Sequence, residues 1–266
     1  MKSKIGRQEA QVLAYAQMRK RRVIRAGELR EPLELNAQQE RKVLSRLSKA
    51  GMIARVWRGV YLVPPRLPLG GKWSPGELLA LDALMEALRG KFQVCGPNAF
   101  NRYGFDDQVP NRLYVCNNRS FGERRIGGVT LMLIQVADKR LGDTETFQTP
   151  EGVTAVYASR ARSLVDAVYD WSRFNGIPRG YEWIRRELKA KRVSAAELVR
   201  CTLRYGDTGT IRRMGVLLER EGVEEKLLRK LARGLPRTSS PIPWLPRAAK
   251  RGTINRRWGV VENDRK

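Results

Sequence analysis

The 266-residue chain contains no histidine. Serine–histidine–aspartate triads, cysteine–histidine pairs and imidazole-bound zinc all need that ring, so these chemistries are excluded at the outset. Cysteine is scarce. Cys95, Cys116 and Cys201 are odd in number, far apart and without a C-x-x-C spacing, which argues against zinc and against a disulfide framework. They read as small buried residues. No apolar run reaches 18 residues and the N-terminus has no apolar signal core, so the expectation is a cytoplasmic protein with no membrane partner. A P-loop or dinucleotide fingerprint is also missing, and neither a cofactor nor a bound metal is expected.

Positive charge is what the chain has in excess. Its 52 Lys and Arg stand against 27 Asp and Glu, a formal net charge of +25 with a pI near 10.8. That balance suits a polyanion such as nucleic acid better than an acidic substrate or a membrane. A hydrophobic content of 42% still allows a real core, divided over two or more domains. The charge is unevenly spread. Residues 1–66 hold 16 basic and 5 acidic side chains, 67–150 hold 10 and 9, 151–235 hold 18 and 11, and 236–266 hold 8 and 2. The near-neutral second block reads as the core of a domain that does not itself grip nucleic acid.

The stretch from Ala26 to Val63 reads as a short helix, a turn, a second helix and a tight hairpin, the order of a winged helix-turn-helix. Asn36 can cap the second helix with Gln39 reaching back, and Gly51 can end it, which places the helix over Ala37 to Ala50. At roughly 100° per residue, Glu40, Val43, Leu44, Leu47 and Ala50 share one side, while Gln38, Arg41, Lys42, Ser45 and Lys49 share the other. With Arg46, these exposed residues are candidates for holding phosphates or meeting guanine and adenine edges in a major groove. Met52 to Trp57 and Val60 to Val63 form the hairpin around Arg58-Gly59, which puts Arg55 and Arg58 on a wing suited to phosphates or a minor groove. A helix that is merely solvated is the alternative for so charged a face.

Around this stretch the chain divides as follows. Gln8 to Lys20 supplies a first helix, and Pro64, Pro65 and Pro68 with Gly70 and Gly71 make a linker, so residues 1–68 form the DNA-binding domain. Residues 72–266 form a second, α+β domain: mixed sheet and helix over 72–158, helical over 159–235, and a docked tail over 236–266. Ser74-Pro75-Gly76-Glu77 reads as a capping box for LLALDALMEAL. Phe92 to Cys95, Arg112 to Cys116, Val129 to Val136 and Val153 to Tyr157 read as strands. Ser194 with Glu197 caps a later helix. In the tail, Trp244, Leu245, Ile254, Trp258, Val260 and Val261 offer apolar surface for docking.

The segments ARVWRGVYLV, VCGPNAFNRYGFDDQVPNRLYVCNN, YASRARSLVDAVYD, MGVLLEREG and INRRWGVVEN, in that order, resemble successive signatures of the AbiEi family of antitoxins. The resemblance covers nearly the whole chain. It implies a winged helix-turn-helix followed by a C-terminal antitoxin domain, encoded beside a nucleotidyltransferase-like toxin in phage-defence and toxin–antitoxin operons. It further implies autorepression at inverted repeats in the operon's promoter DNA and neutralisation of the toxin, often without direct contact. The family offers no catalytic residues to carry over, only the DNA role of the basic helix and wing. This chain departs in having a more basic second half, which keeps open a second nucleic-acid contact through Arg185, Arg186, Lys189, Lys191 and Arg192; an ordinary surface helix is the alternative there.

Two rival functions stand beside that reading. A magnesium nuclease would draw on Glu187 and Lys189 with Asp166 or Asp170, although these lie on expected helices with no strand to gather them. A direct toxin-binding inhibitor would use the loop Asn117 to Gly128, which composition marks as exposed and able to reach a partner.

Overall fold

The computed structural model describes residues 5–66, 72–236 and 240–264. The first elements are α1 (Arg7–Met18), β1 (Val23–Arg25), α2 (Ala37–Lys49), β2 (Ala54–Trp57), β3 (Val60–Leu62) and α3 (Glu77–Leu88). Then come β4 (Phe92–Val94), α4 (Gly96–Arg102), β5 (Leu113–Asn117), β6 (Gly122–Ile126), β7 (Val129–Gln135), β8 (Thr144–Gln148) and β9 (Thr154–Ala158). A helical run follows: α5 (Arg160–Tyr169), α6 (Trp171–Phe174), α7 (Arg179–Lys189), α8 (Ala195–Tyr205), α9 (Thr208–Arg220) and α10 (Glu225–Ala232). Strands β10 (Ile242–Pro243), β11 (Thr253–Asn255) and β12 (Val260–Glu262) close the series. Ten helices and three sheets among the described residues make an α+β fold, the class read from the sequence.

The chain forms two compact units, neither continuous in sequence: residues 1–93, 111–141 and 146–156 in one, and 94–110, 142–145 and 157–266 in the other. In the first, Val12, Leu13 and Ala16 of α1 pack with Ile24, Leu29 and with Val43, Leu44 and Leu47 of α2 in a closed apolar cluster. β3 lies between β1 and β2 and is antiparallel to both, with Leu62 opposite Val23 on one side and Ala54 on the other. Gly59, at φ +70°, supplies the positive φ that closes the β2–β3 hairpin after Arg58. α3 packs on β2, β3 and β7. β5 runs parallel to β7 from Leu113 opposite Leu131 to Asn117 opposite Gln135, and β6 pairs antiparallel with β7 as an edge strand among the described residues.

In the second unit α5 is the central helix, with every residue from Ala161 to Val168 buried and α4, α7, α8 and α9 packed around it. Two tryptophans seat the closing segment. Trp244 stacks on Tyr181 with ring centroids 3.8 Å apart, and Tyr181 Oη donates to the Trp244 carbonyl at 2.9 Å. Trp258 is packed against Gly215 of α9 and donates its indole N–H to Glu219 at 3.1 Å. Arg220 of α9 ties Glu262 at 2.7 Å and Asp264 at 2.6 Å.

Three local expectations are corrected. The helix expected between Ala26 and the α2 cap is instead a run of turns over residues 26–34. Pro32 withholds a donor there, Gly27 and Glu34 have positive φ, and the N–H groups of Gly27 and Leu29 are taken by the Glu40 carboxylate of α2 rather than by a helical ladder. Ser74 does not cap α3: the N-cap is Gly76, and Ser74 Oγ accepts the Gly128 N–H at 2.9 Å instead. The exposed loop expected over Asn117 to Gly128 contains strand β6 over five of its twelve residues, and Asn117 is buried, holding the Arg119 and Ser120 N–H groups through its side chain. Of the linker residues, Pro68, Gly70 and Gly71 lie outside the described residues. Among the described residues no helix is long and apolar enough to cross a membrane.

Candidate nucleic-acid interface

Helix α2 is fixed at its start by a complete capping box. Asn36 Oδ1 accepts from the Gln38 and Gln39 N–H groups at 3.0 and 2.9 Å, and Gln39 Oε1 accepts the Asn36 N–H at 2.9 Å. Glu40, Val43, Leu44 and Leu47 are buried, so the opposite face is set outward by the helical period. Gln38, Arg41, Lys42, Arg46 and Lys49 are exposed and Ser45 is half-buried. Arg46 is the one of these that meets an acid, Glu9 of α1, at 3.3 Å. Arg41 gives its Nε to the Ala37 carbonyl at 3.1 Å, one turn back, which holds its side chain along the helix. Arg41, Lys42 and Lys49 form no ion pair with any described residue.

Arg55 and Arg58 lie on the β2–β3 hairpin, both exposed and likewise without an acidic partner among the described residues. Arg55 also lines a cleft of about 650 Å³ with Ser48 at the end of α2, Gly51, Lys72, Trp73 and Arg125. A second cleft, of about 310 Å³, brings Arg55 and Arg58 together with Trp57, Arg124 and Arg125. Sequence reasoning missed the last two arginines. The pair Arg124-Arg125 stood in plain view, but Gly-Glu-Arg-Arg-Ile has no apolar alternation to announce a strand, so nothing placed it beside the hairpin.

The five basic residues of the second half fare differently. Arg185 pairs with Glu221 at 2.9 Å, Arg186 donates to the Gly104 carbonyl at 2.8 Å, and Arg192 pairs with Glu187 at 2.6 Å. Lys189 and Lys191 are exposed and pair with no acid among the described residues, with Lys191 at φ +54° just past the end of α7. Arg185 and Arg186 are therefore committed to holding α7 against its neighbours, and Arg192 to closing back on Glu187 of the same helix.

The carboxylates weighed for a metal are committed as well. Glu187 is buried between Arg160 at 2.7 Å and Arg192. Burial by itself raises its pKa, but the hydrogen bonds and charge of the two guanidiniums outweigh that and hold it below the usual carboxylate range. Asp166 is buried beside Arg162 Nε, 2.9 Å from each oxygen. Among the described residues no three His, Cys, Asp or Glu side chains gather as a metal site would require. Cys95, Cys116 and Cys201 are all buried and form no disulfide among the described residues, and burial, followed by the Asp143 carboxylate 2.5 Å from its sulfur, pushes the Cys201 thiol up to about 12.

No family model matches the chain, and no curated protein matches it significantly. Among solved structures, the crystal structure of the RV2827C protein from Mycobacterium tuberculosis superposes with a TM-score of 0.58 at 15% identity, covering 97% of this chain and 92% of that one. The likeness is one of fold, and it extends across nearly the whole chain.

Proposed function

We propose that this protein is a sequence-specific DNA-binding autorepressor and antitoxin of a toxin–antitoxin operon, acting in the cytoplasm against a nucleotidyltransferase-like toxin. The observation that carries the DNA half is the outward face of α2: Gln38, Arg41, Lys42 and Lys49 stand exposed on a firmly capped helix, and its three cations have no acid among the described residues to neutralise them. A helix of this kind followed directly by a basic hairpin is the pattern of a recognition helix and wing, with side chains that meet base edges and phosphates. The antitoxin half is supported by the resemblance of the ordered segments to AbiEi antitoxins. The toxin is a functional partner, and the promoter's inverted repeats are the physical one.

The deciding experiment is a titration of the whole chain against the duplex upstream of its own gene and against a scrambled duplex, at two salt concentrations. Preference for the upstream duplex is expected, and Arg41→Ala or Gln38→Ala should lose about 1–3 kcal/mol on it while relaxing preference at one position. Equal, steeply salt-dependent binding to both duplexes would sink the repressor reading. Rescue of growth when the chain is co-expressed with the toxin encoded beside it tests the antitoxin half, and absence of rescue would sink that.

A further inference from the structure

The DNA-binding reading leaves Arg124 and Arg125 unused. Strand β6 carries both of them alongside β2 of the hairpin, against which it packs. There Arg124 lays its guanidinium over Trp57, 4.4 Å from the ring centroid. Arg55, Arg58, Arg124 and Arg125 thus surround one cleft of about 310 Å³. Four like charges around so small an opening repel one another, and an anion among them relieves that repulsion.

Few groups nearby can neutralise them. Glu123 lies 3.1 Å from Arg125, but Arg112 shares it at 3.2 Å, so one carboxylate serves two cations. Arg55 has a carbonyl, that of Trp57, at 3.5 Å. Arg124 makes no hydrogen bond or ion pair with a described residue although it is half-buried. Burial pushes its pKa below the usual guanidinium value, the direction of a desolvated cation with no anion beside it. Contact with the Trp57 ring holds that guanidinium in place while leaving its N–H groups unspent, and a planar fork of donors matches two phosphate oxygens.

We propose that the cleft between the β2–β3 hairpin and the edge strand β6 is a phosphate-binding site for the backbone of duplex DNA. Arg124 and Arg125 then extend the hold of Arg55 and Arg58 onto a part of the chain far from α2 in sequence. The ligand rests on the DNA-binding reading; the site itself rests on the four arginines and Trp57. Arg124 and Arg125, on an edge strand outside the hairpin, present charge to the backbone, so they supply affinity and register without sequence preference.

The test uses the whole chain with Arg124→Gln, Arg125→Gln, both together, and the charge-keeping Arg124→Lys with Arg125→Lys. Each is titrated against the upstream and the scrambled duplex over a series of sodium chloride concentrations. The double Gln variant should reduce the slope of log affinity against log salt by about 1.8, which is about 0.9 for each phosphate no longer neutralised, equally on both duplexes. The double Lys variant should restore most of it. Arg125 is 77% exposed, so its single Gln variant keeps the fold and carries the test if the Arg124 change loosens the hairpin. An unchanged slope in the Gln variants overturns the proposal, as does a loss confined to the upstream duplex, which would mark a base contact. A wild-type chain that prefers neither duplex sinks the repressor reading and leaves the cleft standing if the Gln variants still flatten the slope. Binding to neither duplex sinks both. In a last arm, inorganic phosphate replaces chloride at constant ionic strength; release of the DNA from the wild type, but not from the double Gln variant, would make a free anion the ligand and overturn the assignment to DNA.

Discussion

At the scale of single residues, the first unit depends on a glutamate with no exposed surface. Glu40 stands on the packed side of α2 among Val43, Leu44 and Leu47, a position where a charge is costly unless its oxygens are satisfied. They are: Oε1 accepts from Gly27 and Leu29 N–H at 2.8 and 3.1 Å, and Oε2 meets Arg30 Nε at 3.1 Å. One side chain thereby holds two N–H groups of residues 26–34, while backbone turns hold Glu28, Arg30, Leu33 and Glu34. Glu40→Ala strands those donors, and each buried N–H left unpaired should cost about 1–3 kcal/mol. Glu40→Gln keeps an acceptor oxygen and should cost less. Urea unfolding of the two variants measures the difference, and an Ala variant as stable as the wild type would refute this role. The helical period had already put Glu40 on the inner side; what the sequence could not announce was its partner stretch, because those hydrogen bonds reach across 11 to 13 residues.

At the scale of elements, legibility followed the range of the interaction. The caps of α2 and α8 were readable because Asn36 with Gln39, and Ser194 with Glu197, bond within three residues of themselves. Ser74 carries the same local pattern, yet its hydroxyl is spent on Gly128, 54 residues away, and the pattern misleads. β6 escaped notice for a related reason: an edge strand bearing Glu123, Arg124 and Arg125 needs only one neighbour and shows no apolar alternation. The seat of the closing hairpin β11–β12 was half legible, since Trp258 was evident but its socket on α9 was not. Gly215 is that socket. A Cβ there would fall inside the Trp258 indole, so Gly215→Ala must displace the ring or bend α9, an overpacking cost of about 1–3 kcal/mol. Limited proteolysis should then cut within residues 240–264 at protease concentrations that spare the wild type. Equal resistance in both proteins would mean that the indole is not held by this contact.

At the scale of the whole molecule, the question is whether residues 1–66 stand alone. The apolar cluster from Val12 to Val63 closes entirely within that stretch, which favours independent folding. Against this, the β2–β3 hairpin also leans on α3 and β6, and a chain of this length buries only about 60% of the surface it exposes when unfolded. The two facts together give a definite expectation for a fragment ending at Arg66. It should melt cooperatively but at a lower temperature than the full chain, because Val56 and Leu62 belong to the hairpin that α3 covers. It should keep the preference between upstream and scrambled duplexes, since Gln38, Arg41 and Lys42 remain on α2. Its salt slope should nonetheless be shallower by about the same 1.8 that separates the double Gln variant from the wild type, since Arg124 and Arg125 are gone with β6. Calorimetry and the salt-dependent titration check the two halves of this expectation separately. A fragment with no cooperative melt would show that the N-terminal segment is a domain only in the company of α3 and β6, and a full-length slope in a folded fragment would place all the phosphate binding on α2 and the hairpin.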